Sequence, residues 1–330
     1  MGARWETDIR SQIKSDLKAA VLMGGVSRER SISIESGKCV ADALKQAGVN
    51  VVTADIAPDN LAVLDDKTID VFFLALHGRW GEDGELQEIL EKKRLVYTGS
   101  GPEASRLAFD KWESKKVFAK AGVPTPAAIR FKLDENEKEL EKQVEQLGGK
   151  YVIKPLCEGS TIGISIVDRP DLAVAAAKLC YADYGDCMIE QHIAGRETTV
   201  GILGRQGLPI IEIRTRTGFY DYLAKYIDDR TQYLFDTIEP ETEKRIQDLA
   251  LACFDALGCR HFARVDFIVG KDGIAYALEV NTIPGMTTHS LLPKAAAKTG
   301  LSMSDLCLTI VNTALAGRMK KSAPMRKKMG

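Results

Sequence analysis

Residues 262–287 read FARVDFIVGKDGIAYALEVNTIPGMT. An Asp-Gly pair, Asp272-Gly273, separates two apolar runs with alternating polar positions, which predicts a tight hairpin. With a two-residue turn at that pair, Asp266 faces Glu279 and Arg264 faces Asn281. Residues two apart share a face of a strand, and so do directly opposed pairs. All four polar groups therefore meet on one surface, while Val265, Phe267, Tyr276, Leu278 and Val280 point toward a core. Two facing carboxylates repel unless positive charge lies between them. A hard divalent cation with oxygen ligands fits, since Mg²⁺ takes one or two carboxylates together with phosphate oxygens. Asn281 adds a neutral oxygen and Arg264 a fixed cation. A salt-bridge network on a half-exposed sheet is the competing reading. The hairpin ends at Pro284-Gly285, where the strand breaks.

Outward from the hairpin, the first hundred residues alternate strand and helix. Ala20–Gly24, Asn50–Ile56 and Asp70–Leu76 read as strands and Ser33–Gly48 as an amphipathic helix, predicting a parallel sheet with crossover helices. A helical stretch over 103–121 follows, then the breaker cluster Gly122-Val-Pro-Thr-Pro126 and a charged helix over 134–147. From residue 187 the pattern is strand-rich. The segment 215–238 shows little periodicity, and loops of that length inside compact domains are often functional. These shifts divide the chain into 1–101, with a polar N-terminal extension, 102–190, and 191–330 with a basic tail.

Several loops have the composition of a phosphate site. Lys154 ends a strand and leads into Pro-Leu-Cys-Glu158-Gly159-Ser160-Thr-Ile-Gly163, whose backbone N–H groups would cradle phosphate with lysine as the point charge. It is not a Walker A loop. Lys111 lies in a helical pattern, and alone it reads as a surface lysine. Glu190-Gln191-His192-Ile193 reads as a strand running into a crossing between domains that would read an adenine edge, with Glu197 available for ribose hydroxyls. The loops Met23–Glu29 and Leu76–Gly84, the second carrying His77, follow buried strands where α/β sheets bind ligands. GxGxxG is absent, which disfavours a dinucleotide. Ser290 precedes a helix and reads as its N-cap, so the helix N-terminus would welcome a carboxylate. Each loop taken alone is also an ordinary turn.

Composition excludes several classes. The 330 residues suffice for two or three cores, and a formal net charge of −1 gives no global footprint for nucleic acid. The seven cysteines are scattered without a CxxC pair, which suggests a reducing compartment and no disulfide framework. No apolar run approaches a membrane span, and the charged N-terminus does not read as a secretory signal. A cytoplasmic protein without membrane or nucleic-acid partners is expected.

Taken in order, GGVSRE, LHGRWGEDGELQ, YTGSG, FDK, IKPLCEGSTIG, IEQHIAGRE, YDYLAKY, ARVDF and EVNTIPGMTTHS resemble the D-alanine–D-alanine ligases of the ATP-grasp superfamily, over residues 19–316. The resemblance implies an α/β (α+β) ATP-grasp fold with a Rossmann-like N-terminal sheet, a homodimer, and synthesis of a peptidoglycan precursor. The first D-alanine carboxylate would attack the γ-phosphate of ATP, and the amine of the second would attack the resulting acylphosphate. Matched position by position, Asp266, Glu279 and Asn281 would hold two Mg²⁺ ions (or Mn²⁺), with Lys111 and Lys154 on the phosphates beside the loop Glu158–Ser160. Glu190, Gln191, His192 and Ile193 would form the adenine hinge and Glu197 the ribose ligand. Glu29 would bind the first ammonium, and His77 would lie near that substrate. Arg264 and the Gly285 N–H would stabilise the oxyanion, and the N–H groups of Ser290 and Leu291 would hold the second carboxylate. Residues 215–238 would be the lid, with Lys225 on the γ-phosphate and Tyr226 bonded to Ser160 and Glu29.

Some positions depart from the usual pattern. Thr161 replaces a serine, Gln191 a lysine, and Glu88 and His261 stand where glycine is common. D-Lactate or D-serine as second substrate is the nearest rival, and Tyr226 favours D-alanine. A non-catalytic nucleotide-binding protein is the rival of another class, which the intact Asp266, Glu279, Asn281, Arg264 and Lys225 disfavour.

Overall fold

The structure, a computed structural model, describes residues 16–215 and 230–322. The chain opens with β1 (Lys18–Gly24), α1 (Arg30–Gln46), β2 (Asn50–Ile56) and β3 (Val71–Leu74). These strands form a parallel sheet in the order β2-β1-β3, as a βαβ unit requires. Parallel strands are covered on both faces and so read as continuous apolar runs. Phe72 and Phe73 show this, being fully buried on opposite faces in two different cores. Each such side chain contributes about 1.5–3 kcal/mol.

After α2 (Glu85–Lys92), the expected helix-rich stretch over 103–121 consists of two helices, α3 (Pro102–Phe109) and α4 (Lys111–Lys120). Asp110 breaks it. Its backbone is extended, and its carboxylate accepts hydrogen bonds from Trp112 N at 2.9 Å and Glu113 N at 3.1 Å, an N-cap that starts α4. Lys111 thereby becomes the first residue of a helix.

A four-stranded antiparallel sheet follows, built from β4 (Ala128–Arg130), β5 (Tyr151–Pro155), β6 (Ser165–Val167) and β7 (Cys187–Gln191) in the order β4-β7-β5-β6. Helices α5 (Glu137–Leu147) and α6 (Pro170–Tyr184) close its core. A larger antiparallel sheet then runs β11-β10-β8-β12-β13, with β9 on the side of β8. Its strands are β8 (Gly195–Leu203), β9 (Gln206–Gly207), β10 (Ile211–Arg214), β11 (Gln232–Leu234), β12 (Phe262–Gly270) and β13 (Ala275–Asn281). Part of the long segment expected as a loop is thus strand β11, paired with β10. Helix α7 (Pro240–Ala256) packs on this sheet. Finally α8 (Leu291–Lys298) and α9 (Met303–Ser322) join the core of the first sheet. Among the described residues no helix is long and apolar enough to cross a membrane.

Candidate active site

The hairpin has the expected pairing for a reason the sequence did not reveal. Asp266 opposes Glu279 and Arg264 opposes Asn281. The turn, however, holds three residues: Gly270 N–H donates to Ile274 C=O at 2.8 Å, and Gly273 completes the bend at φ +78°. A turn one residue longer shifts every pair by one, and Phe267 indeed opposes Ala277. A β-bulge between that pair and Asp266–Glu279 absorbs the shift. Beyond the bulge the faces differ from the expectation. Ala275 and Ala277 join Val265, Phe267 and Val280 in the core, while Tyr276 and Leu278 are only half-buried.

The protein's own cations partner the two carboxylates. Arg264 donates from Nε to Asp266 Oδ1 at 2.9 Å and from Nη2 to Oδ2 at 2.8 Å, a bidentate pair that Thr199 extends with its hydroxyl at 2.6 Å. Lys111 Nζ lies 3.1 Å from Glu279 Oε2. Burial disfavours the Lys111 charge, but Glu279 outweighs it and the ammonium is held above its ordinary pKa. Facing acids therefore do not by themselves require a metal. Among the described residues no three acidic, histidine or cysteine side chains converge. Two carboxylates beside the Asn281 amide nonetheless form an all-oxygen set suited to a hard cation.

The loop after β5 approaches the same place. Lys111 Nζ donates to Glu158 C=O at 2.6 Å, and Lys111 N to Leu156 C=O at 3.0 Å, so the first turn of α4 and the loop hold each other. Ser160 and Thr161 take left-handed backbone, φ +52° and +64°. The Ser160 hydroxyl donates to the Glu29 carboxylate, which joins the four-stranded sheet's loop to the loop before α1. A Cβ on Gly159 would sit 2.8 Å from Glu29 Oε2, so glycine admits this close approach.

His77 is buried. Its Nδ1 lies 3.0 Å from Ile283 C=O and its Nε2 3.0 Å from Ser36 Oγ, which also accepts from Met286 N at 3.2 Å. A carbonyl only accepts, so Nδ1 carries the proton and Nε2 accepts from the serine. Burial holds the ring's pKa down, and it stays neutral. Glu82 was not among the expected site residues, although the quoted motif contains it. Its Oε2 accepts from Gly78 N at 2.7 Å, its Oε1 has no hydrogen-bond partner among the described residues, and burial followed by Glu29 raises its carboxyl pKa well above the usual range.

Ser290 occupies the N-cap position of α8, but its side chain does not cap. It turns back to Thr287, accepting from the backbone N–H at 3.0 Å. The first N–H groups of α8, Leu291 among them, have no partner within the helix.

One cavity is lined by Glu29, His77, Glu82, Lys111, Glu158, Gly159, Ser160, Arg264, Glu279, Asn281, Gly285, Ser290 and Leu291. Asp266 stands outside its lining, paired with Arg264. The hinge residues also lie outside it. Glu190 does not present a free carboxylate, because Lys115 and Lys154 both pair with it. The N–H groups of Gln191 and His192 are taken by Ala127 and Lys150 carbonyls at 2.8 and 2.9 Å. Ile193 and Glu197 are half-buried, and Glu197 opposes Ile213 and Ile268 in the large sheet. Lys225 and Tyr226 lie outside the described residues. Lys115 was also missed. Its signal was its place one turn after Lys111 on the same helix face.

The family model for the C-terminal part of D-ala D-ala ligases matches residues 117–312, and that for the N-terminal part matches residues 59–100. A D-alanine–D-alanine ligase of Nitrosospira multiformis is 43% identical over 301 residues, covering 91% of this chain and 97% of its own length. The crystal structure of the D-alanine–D-alanine ligase from Bacillus anthracis superposes with a TM-score of 0.80 at 38% identity, covering 92% of this chain and 99% of that one. The same enzyme complexed with ATP gives 0.79 at 35% identity, with equal coverage. The fold is the expected ATP-grasp fold, and this chain, an enzyme, belongs to the D-alanine–D-alanine ligase family.

Proposed function

We propose that the protein joins two D-alanine molecules into D-alanyl-D-alanine, cleaving ATP to ADP and phosphate, with Mg²⁺ as its metal. The observation that carries this reading is the single cavity in which Glu29, Lys111, Arg264, Gly285 and Ser290 converge from distant parts of the chain.

Glu29 supplies a carboxylate for the ammonium of the first D-alanine, with Ser160 fixing its orientation. The carboxylate of that D-alanine attacks the γ-phosphorus, ADP leaves, and an acylphosphate forms. Phosphoryl transfer depends on positioning and charge neutralisation more than on covalent help. Lys111 and Lys154 provide fixed positive charge along the polyphosphate. Asp266, Glu279 and Asn281 would hold Mg²⁺, which when bound neutralises charge on phosphate oxygens. Arg264 and Lys111 then exchange a carboxylate partner for a phosphate or a developing oxyanion. The amine of the second D-alanine attacks the acyl carbon, loses a proton, and phosphate departs. Arg264 and Gly285 N–H donate to the tetrahedral oxyanion, and the N-terminus of α8 at Ser290 and Leu291 takes the second carboxylate. Lys225 and Tyr226 complete this scheme as lid residues, and Glu190 to Ile193 with Glu197 bind the nucleoside.

The free thiols fit a reducing cytoplasm, and a homodimer is the proposed assembly. The test is ADP release against D-alanine, D-serine and D-lactate. Turnover that requires D-alanine and yields the dipeptide supports the reading, and equal turnover without any D-alanine contradicts it.

A further inference from the structure

Behind the cavity lies a buried ionic cluster with two cations and one anion. Lys115 Nζ is 2.5 Å from Glu190 Oε1, and Lys154 Nζ is 2.6 Å from Glu190 Oε2. All three side chains are at least nine-tenths buried. The strand register explains half of the cluster. Val152 opposes Glu190 between β5 and β7, so Lys154, two residues on, lies on the same face diagonally across from Glu190. Lys115 arrives from α4. Its ammonium also donates to Thr125 Oγ1 at 2.8 Å, and that hydroxyl donates to Ala277 C=O on β13 at 2.8 Å. The cluster thus ties the nucleotide strand to the carboxylate-bearing hairpin.

One carboxylate cannot cancel two ammoniums, so one positive charge is left over in a buried place. Burying net charge is costly, and a buried ion pair by itself contributes little stability. The surplus needs an anionic complement. Lys154 leads directly into the loop Glu158–Gly163 that borders the cavity, whereas Lys115 points away toward Thr125 and Ala277. With Lys115 removed, Lys154 and Glu190 would close into a neutral pair.

We propose that Lys115 is a positioning residue for ATP: by neutralising Glu190 it frees the charge of Lys154 for the polyphosphate. This rests on the nucleotide reading given above. Burial, opposed by Glu190, lowers the Lys115 pKa to about 8, so the ammonium is still charged at neutral pH. The two lysines outweigh burial at Glu190 and keep it ionised.

The test compares Kd for ATP with Kd for adenosine, measured by calorimetry on the full chain. Lys115→Met raises Kd for ATP about tenfold, the order expected for one charge near a polyphosphate at intermediate effective dielectric. It leaves Kd for adenosine within about twofold, and Lys115→Arg stays near wild type. Adding Glu190→Gln to Lys115→Met returns the ratio of the two constants at least halfway to the wild-type value on a logarithmic scale, because Lys154 then has no carboxylate to neutralise it, while any contact of Glu190 with the nucleoside cancels in the ratio. Glu190→Gln alone, which keeps both ammoniums, shifts the ratio of the two constants toward ATP, and it serves if Lys115→Met does not fold. Equal weakening of ATP and adenosine without recovery in the double variant overturns the proposal, as does an unchanged ratio in Glu190→Gln. A wild-type protein that binds no ATP would overturn the functional reading itself, whereas binding that ignores these variants overturns only the role of Lys115.

Discussion

Asp266 and Glu279 stand directly opposite each other on adjacent strands, and each is held by a different cation, Arg264 and Lys111. The cations come from different elements, β12 and the first turn of α4. The pairing keeps two acids together without a ligand and leaves both cations able to change partner when polyphosphate arrives. Glu279→Gln removes one charge from this set while preserving shape. It lowers D-alanine-dependent ADP release by about 10²-fold or more, the scale of losing one charged contact to a transferring phosphoryl group. Steady-state kinetics checks this, and near wild-type turnover would remove Glu279 from the proposed metal site.

Arg264 pairs with Asp266 in the free protein, and in the proposed mechanism it passes to the oxyanion. Arg264→Lys keeps a charge but loses the planar fork. The expected outcome is a fall in kcat of about 10²–10³-fold with little change in the KM for ATP, as for loss of one oxyanion donor. A rise in KM at unchanged kcat would place Arg264 in ground-state binding instead.

The hydrogen bond from Ser160 to Glu29 spans 131 positions of sequence and joins two loops. Ser160→Ala leaves the carboxylate without this donor. The KM for the first D-alanine rises about tenfold, in line with losing one hydrogen bond to a charged group, about 1.5–3 kcal/mol. Initial-rate kinetics in D-alanine at saturating ATP measures it. An unchanged KM would show that Glu29 needs no support from the loop.

His261 stands at φ +69°, in the left-handed region that favours glycine. Its Nδ1 accepts from Gly99 N at 3.1 Å, so the ring must be neutral. Burial, with Arg260 adding to it, lowers its pKa to about 3. For a histidine depressed in this way, the unfolded state binds more protons, so stability falls as pH drops below about 6.5. His261→Asn keeps an acceptor and tolerates positive φ, but does not titrate. Between pH 6.5 and 5 the wild type loses up to about 1.4 kcal/mol per unit more than this variant in denaturant unfolding. Parallel losses in both would assign the pH dependence elsewhere.

Much of the fold was legible because its strands are apolar runs with clear breakers and its hairpin carries an Asp-Gly signal. The hairpin also shows the limit. A two-residue turn was assumed where three residues turn, and a bulge that no local composition announces restored the pairing of Asp266 with Glu279. Asp110 divides the expected helical stretch in two by capping a new helix with its side chain, a boundary that periodicity alone does not mark. Within the site, many of the residues that line the cavity were named from motifs, whereas Glu82, which also lines it, and Lys115 were not. Their importance comes from burial, which brings Lys115 to Glu190 across 75 positions and encloses Glu82. Spacing along the helix puts Lys115 on the face of Lys111, but it does not encode the meeting with Glu190.

The central claim is that one cavity couples ATP cleavage to the joining of two D-alanines. The most direct measurement follows ADP and dipeptide together, with purified protein, Mg²⁺, ATP and D-alanine. The account predicts one ADP released per D-alanyl-D-alanine formed, with neither product appearing when D-alanine or Mg²⁺ is withheld. ADP release at the same rate without D-alanine, or no dipeptide despite ATP cleavage, would contradict it.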